Sequence, residues 1–224
     1  MANLDTFTIR HDFFGVNDEF GAAVDVNPFV VRDISPAGAV TIAYVDGAAR
    51  GELALTMAAD SEIQNICLYQ GDVLQFDIDK LTQVKFRVKM NQATGDSTSQ
   101  FAFGVIGDRA DAIDSIAQAV IFRLIGADTT VWAEYDDGTN TEDDVDTGED
   151  LGIVYKDFVI SFAAGTDDVR LFIDGAPVLT AYTIDMSSYT GKLQLFMQIQ
   201  KTADTNTDGF TVDYIEIRGR DSSI

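Results

Sequence analysis

Residues 84–90 have the sequence Val84-Lys85-Phe86-Arg87-Val88-Lys89-Met90, in which apolar and cationic side chains alternate without a break. Successive side chains of a β-strand point to opposite faces, so this alternation predicts a strand with one dry face and one wet face. Residues 157–162 and 193–200 also carry an apolar residue at every second position. These three segments predict a sheet with one buried face.

Eight further segments have weaker strand patterns. They are residues 40–45, 52–57, 64–70, 101–106, 119–125, 131–135, 169–174 and 210–218. Asp174 and Gly175 stand between two apolar runs, which is typical of a two-residue β-hairpin turn. Within residues 210–218 the apolar phase changes, and this indicates either a β-bulge or a strand buried on both faces.

Helical pattern is confined to residues 111–119, where Ile113 and Ile116 are three positions apart and indicate one or two short turns. About eleven short strands with almost no helix predict an all-β fold, either a sandwich or a barrel.

The composition excludes several classes of function. The 224 residues include 15 Lys and Arg against 37 Asp and Glu, a net charge of −22. Nucleic-acid binding needs a basic surface, and anionic membranes repel such a chain. One cysteine and one histidine exclude an intrachain disulfide and any mechanism with two imidazoles. The N-terminus lacks the pattern of a signal peptide, so we expect synthesis in a cytoplasm without export.

Residues 1–37 differ from the rest because they hold two of the three prolines and alternate poorly. We therefore predict an N-terminal extended arm over residues 1–37, a sandwich domain over 38–220 and a short tail over 221–224. The arm either folds back on its own domain or packs on another chain. The side chains expected to form its interface are Phe13, Phe14, Phe20 and Phe29.

Two acidic segments suggest a cation site. Residues 136–150 combine many carboxylates with glycines, which suits either a Ca²⁺ loop or a solvated hairpin tip. Asp204, Asn206 and Asp208, followed by glycine, match the opening of a helix–loop–helix calcium loop. Ile215 stands where the closing glutamate of that loop would be. The segment is therefore either a non-helical calcium turn or a plain turn rich in Asp and Asn.

A glycan-binding face is the alternative site. Trp132 and Glu134 are two residues apart on one predicted strand and so share a face. The polar row Gln194, Gln198 and Gln200 either binds glycans or faces solvent. Glycosidic bonds are cleaved by two carboxylates, but Gly138 stands where the strand would carry the second one. The sequence therefore predicts no catalytic residue.

Three motifs carry a resemblance to a known superfamily. They are the hairpin Val169-Arg-Leu-Phe-Ile-Asp-Gly175, the closing strand Val212-Asp-Tyr-Ile215, and the stretch from Asp136-Asp-Gly-Thr139 to Asp144-Val-Asp-Thr-Gly148. Over residues 38–220 the chain resembles the concanavalin A-like lectin/glucanase jelly rolls. More narrowly, it is similar to the capsid decoration, or cement, proteins of tailed bacteriophages.

The resemblance implies a two-sheet antiparallel jelly roll and a non-enzymatic virion structural protein that decorates and stabilises a bacteriophage capsid. Its partners would be the major capsid protein and copies of itself, as a dimer or trimer, with no nucleic acid and no membrane. A carbohydrate-binding module of a phage fibre or spike is the first alternative, and a glycoside hydrolase is the second. Calcium is the one cofactor that the sequence suggests.

Overall fold

The computed structural model describes residues 5–13, 29–36, 38, 40–45, 47–48, 51–93 and 98–221. Sixteen strands and two short 3-10 helices are present in this part of the chain. In chain order the strands are β1 (Asp5–Asp12), β2 (Val30–Asp33), β3 (Thr41–Tyr44), β4 (Leu53–Thr56), β5 (Glu62–Tyr69), β6 (Phe76–Asp77), β7 (Leu81–Met90), β8 (Ser99–Ile106), β9 (Ala119–Ile125), β10 (Thr130–Asp136), β11 (Thr141–Asp150), β12 (Lys156–Ser161), β13 (Arg170–Ile173), β14 (Ala176–Val178), β15 (Lys192–Asp204) and β16 (Gly209–Asp221). The 3-10 helices are Ile78–Lys80 and Ile113–Ser115. Among the described residues, no helix is long and apolar enough to cross a membrane.

Two antiparallel eight-stranded sheets form a sandwich. Sheet A has the order β14-β13-β12-β7-β16-β4-β3, with β1 also paired to β16. Sheet B has the order β11-β10-β9-β8-β15-β5-β2, with β6 also paired to β15. The predicted all-β jelly-roll sandwich is therefore confirmed.

The core lies between the two sheets and is built around aromatic rings. Val84, Phe86, Val88 and Met90 of β7 are all buried, which confirms the predicted inner face of this strand. Phe103 of sheet B lies 5.0 Å from Phe158 and 5.6 Å from Phe86, both of sheet A, between ring centroids. Stacked or edge-on aromatic contacts at these distances stabilise the packing of the sheets beyond the area that they bury.

Two local features agree with the sequence. Asp174 and Gly175 have positive φ angles of 49° and 81°, as a type I′ hairpin turn requires, and they join β13 to β14. In β16, Val212 pairs with Val88 and Tyr214 pairs with Arg87, so Asp213 is an extra residue. The predicted phase change is therefore a β-bulge.

The acidic segment is where the sequence prediction was wrong. Residues 141–150 form strand β11, the edge of sheet B, and not a loop. Only the turn between β10 and β11 is a hairpin tip, in which the Asp137 carboxylate accepts hydrogen bonds from the backbone N–H groups of Thr139 and Asn140. An edge strand accommodates many carboxylates because its outward side chains remain in solvent.

The described parts of residues 1–37 extend the two sheets. Strand β1 pairs with β16 in sheet A, and β2 pairs with β5 in sheet B. Phe13 and Phe29 are buried in the core, with ring centroids 6.3 Å apart. Their rings are therefore not accessible to a partner in this conformation, whereas Phe14 and Phe20 lie outside the described residues. The division into arm, domain and tail stays a prediction.

Candidate functional site

The outer face of sheet B brings together the residues predicted to form a glycan face. In β10 the inward positions Val131, Ala133 and Tyr135 belong to the core, so Trp132 and Glu134 point outward. Trp132 pairs in register with Arg123 of β9. Hydrogen bonds continue from Arg123 across the sheet.

A chain of side-chain hydrogen bonds links Arg123 to the predicted glutamine row. Arg123 Nη2 donates to Gln100 Oε1 at 3.2 Å, and Gln200 Nε2 donates to the same oxygen at 2.9 Å. Gln198 Nε2 donates to Gln200 Oε1 at 3.0 Å. The polar groups on the three adjacent strands β9, β8 and β15 therefore form one connected network.

Arg123 and Glu134 form a buried ion pair at one end of this network. Arg123 Nη1 lies 2.5 Å from Glu134 Oε2, and both side chains are only 3% exposed. The same nitrogen lies 2.7 Å from Asp114 and 3.1 Å from Asp144. Burial raises the pKa of Glu134 to about 7 against the opposing effect of Arg123, and the carboxylates of Asp143 and Asp114 add to the rise.

A bulge in β11 brings its carboxylates to Arg123. Ala133 pairs with Val145 and Tyr135 pairs with Glu142, so Asp143 and Asp144 together face Glu134. Asp144 has a φ of 52°, a left-handed conformation that is uncommon for a residue with a side chain. The acidic edge strand therefore supplies a counter-charge to the buried guanidinium.

A loop of the same chain closes this face. Residues 107–118, called here the covering loop, connect β8 to β9 and contain the second 3-10 helix. Ile113 and Ile116 of the loop pack on outward apolar side chains of sheet B. These side chains are Cys67, Ala102, Ala119, Ile121 and Phe196. A sugar ring cannot reach this part of the sheet while the loop is in place.

Polar contacts fix the covering loop to the sheet. Asn65 and Gln198 both donate their side-chain amides to the Asp111 carbonyl, at 3.2 and 3.3 Å. Asp114, within the 3-10 helix itself, pairs with Arg123. The loop is therefore held by polar contacts before its apolar contact and within it.

Gln194 fixes the start of the covering loop. Its Oε1 accepts from the backbone N–H groups of Gln70 and Asp72, both at 3.1 Å. Its Nε2 donates to Asp72 Oδ1 at 2.9 Å and to the Gly107 carbonyl at 2.7 Å. Gln194 and Gln198 are fully buried, so the expectation that this row faces solvent is wrong for these two residues. Gln200 is half-buried.

Strand β10 does not extend to the position where a glycosidase strand would carry its second carboxylate. The strand ends at Asp136, whose carboxylate accepts a hydrogen bond from the Gly138 N–H at 2.6 Å. Gly138 has a φ of 87°, which begins the turn to β11. The backbone thus turns away at the position where a continuing strand would carry a second acid.

The predicted calcium turn surrounds an ammonium group. Lys201 Nζ donates to the carbonyl oxygens of Asp204 and Asn206 at 2.6 and 3.0 Å. The Asp204 carboxylate accepts from the Asn206 N–H at 2.8 Å and from Thr98 Oγ1 at 3.2 Å, and Asp208 is buried. Within the described residues, no three or more His, Cys, Asp or Glu side chains form a group that could hold a metal. The donor arrangement does not fit a calcium loop.

The cationic row on β7 is neutralised within sheet A. Lys85 and Arg87 lie 2.8 and 3.2 Å from the Asp157 carboxylate, and Lys89 lies 3.6 Å from Glu52. Partial burial acts to raise the pKa of Asp157, but hydrogen bonds from Lys85 and Arg87 outweigh it, so the pKa is lowered. The row therefore balances acids of its own sheet.

Sequence reasoning missed Arg123, Lys201 and the covering loop. Arg123 is the one charged residue in the apolar run of β9, and this was a detectable signal of a buried ion pair. Lys201 directly follows the glutamine row and carries no comparable signal.

Comparisons with known proteins agree on the fold. No family model and no curated protein matches the chain. A GH16 protein of a Bacteroides ovatus mixed-linkage glucan locus, in complex with a product, is similar with a TM-score of 0.61 and 11% identity, over 93% of this chain and 99% of that one. A carbohydrate esterase of the Shiga toxin-encoding bacteriophage phi24B is similar with a TM-score of 0.54 and 14% identity, over 86% and 90%. The potassium-bound carbohydrate recognition domain of Emp46p is similar with a TM-score of 0.54 and 12% identity, over 85% of this chain and 88% of that one.

These likenesses show the fold alone, which is that of the concanavalin A-like lectin/glucanase jelly rolls. The superfamily resemblance read from the sequence is thereby confirmed for the fold, and the narrower similarity to capsid decoration proteins stays a prediction. At such low identities the neighbours carry over no ligand and no catalytic residue.

Proposed function

We propose that the chain is a non-enzymatic structural protein of a bacteriophage virion that decorates the capsid and stabilises it through protein–protein contacts. The observation that carries the non-enzymatic part is the closure of the outer face of sheet B. Glu134 is buried and paired with Arg123, so it is not accessible to a polymer, and among the described residues no open cleft separates it from a second acid.

The phage assignment rests on two supporting points. The motifs of residues 136–148 resemble phage decoration proteins, and the fold is also found in the phage phi24B esterase. The proposed partners are the major capsid protein and further copies of this chain, and the proposed location is the capsid surface.

Exposed aliphatic side chains offer contact area to such a partner. Ile153 and Val154 lie side by side between β11 and β12, with 59% and 73% of their surfaces exposed. Val30 and Val31 of the edge strand β2 are also exposed. Burying apolar side chains stabilises a contact by about 25 cal/mol per Å², before the cost of association. Many modest contacts repeated over a shell would oppose its expansion.

Electron microscopy of the native particle tests this proposal. We expect density for a two-sheet sandwich at regular positions on the capsid shell. Density on the tail or on a fibre would favour the carbohydrate-binding alternative, and the absence of the chain from any particle would overturn the virion assignment.

Carbohydrate binding is the second candidate because Trp132, on the outer face of sheet B, is only half-buried. A glycan array with the wild-type protein and Trp132→Ala tests it, and binding that Trp132→Ala abolishes would support this candidate. Hydrolysis is tested by reducing-end release from mixed-linkage glucan. Release that Glu134→Gln abolishes would contradict the non-enzymatic proposal.

A further inference from the structure

Lys201 is buried at the end of the sandwich beneath two turns. It lies near the end of β15, and its side chain is directed to the connection between β4 and β5 and to the connection between β15 and β16. Only 2% of the residue is exposed. A charge in such a place needs close polar partners.

Four backbone carbonyl oxygens surround the ammonium group. Nζ lies 2.6 Å from the oxygen of Ala58, 2.9 Å from that of Asp60, 2.6 Å from that of Asp204 and 3.0 Å from that of Asn206. An ammonium has three N–H bonds, so four acceptors cannot each receive a separate hydrogen. The arrangement is a coordination shell around a positive charge.

The carbonyl shell is held by side chains other than Lys201. Gln64 Oε1 accepts from the Ala58 N–H at 2.8 Å, and Gln64 Nε2 donates to Asp60 Oδ1 at 2.6 Å. On the other turn, Asp204 Oδ1 accepts from the Asn206 N–H at 2.8 Å. Removing the ammonium therefore leaves the two turns with their own supports.

We propose that this carbonyl shell is a monovalent-cation site in which the Lys201 ammonium replaces the ion. Rings of backbone carbonyls are the ligands that take the place of the hydration shell of K⁺. A divalent ion such as Ca²⁺ is held mainly by carboxylates, and the Asp204 carboxylate is already engaged with Asn206 and Thr98. The turn that resembles a calcium loop therefore carries its own cation.

The test compares three salts at equal ionic strength: KCl, NaCl and choline chloride. Thermal unfolding is measured for the wild-type protein, Lys201→Ala, Lys201→Met and the control Lys192→Ala, whose side chain is exposed. We expect the melting temperatures of the wild type and the control to be independent of the cation. Lys201→Ala should melt lower in choline and be restored saturably by K⁺ or Na⁺.

The size of the rescue follows from mass action. At a K⁺ concentration 100 times the dissociation constant, the ratio of folded to unfolded Lys201→Ala should increase about 100-fold. Lys201→Met should lose stability without a response to K⁺, because its side chain fills the space that the ion needs.

Every outcome bears on the proposal. Equal melting of Lys201→Ala in KCl, NaCl and choline chloride would overturn it, as would wild-type stability of that variant in choline. If Lys201→Ala does not fold in choline, refolding is repeated in KCl and in NaCl. Recovery in either salt supports the site, and failure in both overturns it.

Discussion

Replacing Arg123 by methionine tests the buried ion pair that anchors the closed face. The substitution keeps a long, flexible side chain but leaves Glu134 without its guanidinium partner at 3% exposure. Asp114 and Asp144 also lose this partner, but their side chains are 73% and 45% exposed, so water can solvate them. The main cost therefore falls on Glu134.

Breaking a buried pair by removing one partner costs about 3–5 kcal/mol, because an uncompensated charge stays buried. We expect Arg123→Met to lower the free energy of unfolding by about this amount at pH 8. The double variant Arg123→Met/Glu134→Met replaces the whole pair by apolar groups, and it should recover to within about 1 kcal/mol of the wild type. The two substitutions are thus expected to be strongly non-additive.

The pH dependence gives an independent check. The pKa of Glu134 is raised from 4.5 to about 7 in the folded protein, so this group binds its proton more tightly when the chain is folded. Its contribution therefore favours folding at low pH and is lost as pH rises through this window. Between pH 5 and pH 8 the wild type should therefore lose stability relative to Glu134→Gln as the pH rises.

Urea unfolding of the single and double variants at pH 5, 6, 7 and 8 measures these values. Arg170→Met is the matched control, because Arg170 and its partner Asp168 are 61% and 42% exposed and this surface pair should contribute little to stability. If Arg123→Met costs no more than Arg170→Met, or if the double variant is no more stable than Arg123→Met, the reasoning about the buried pair is refuted.

Phe103→Ala should lower the free energy of unfolding by about 3–5 kcal/mol in urea, since Phe103 joins aromatic rings of both sheets; a loss below 1 kcal/mol would contradict the packing described. Asp157→Asn should lower the free energy of unfolding at pH 7 but not in acid. The pKa of Asp157 is lowered in the folded protein, so its stabilising contribution is lost as the pH falls through that folded-state pKa. An equal cost at both pH values would argue against the ion pairs. Gln194→Leu should speed hydrogen exchange of the backbone amides in the covering loop. It should also lower the free energy of unfolding by about 1–3 kcal/mol for each buried polar group left unpaired. Unchanged exchange would show that Gln194 does not fix the loop. Occupancy of the chain on virions should fall at low ionic strength, because copies of net charge −22 repel one another when salt no longer screens them; occupancy independent of salt would contradict this.

The strands of the core were predictable from local pattern. In β7 the period of two follows from burial of one face between the two sheets, so the sequence itself indicates the inner face. The sequence of β15 has the same period, although the covering loop also buries its outer face. The hairpin at Asp174 and Gly175 was predictable for the same reason, because its chemistry lies within two residues. Even the placement of Trp132 and Glu134 on one face followed from their spacing.

The closed face and the ammonium site were not predictable in this way. Whether Gln194 faces water depends on the covering loop, whose contacts join residues far apart in the sequence. Strand β11 was missed because only Val145 and Thr147 point inward, and the many carboxylates around them give no alternating apolar pattern. Its strand conformation comes from pairing with β10. The shell around Lys201 is built from backbone carbonyls, which no side-chain pattern reveals.

The covering loop is the feature on which the functional account depends, and an NMR titration tests it most directly. The side-chain amide signals of Gln194 and Gln198 and the indole signal of Trp132 are followed while mixed-linkage glucan oligosaccharides are added. The account predicts that the two glutamine signals do not move at any concentration. Saturable shifts of these buried amides would mean that the loop opens to admit a sugar, and they would contradict the closed face.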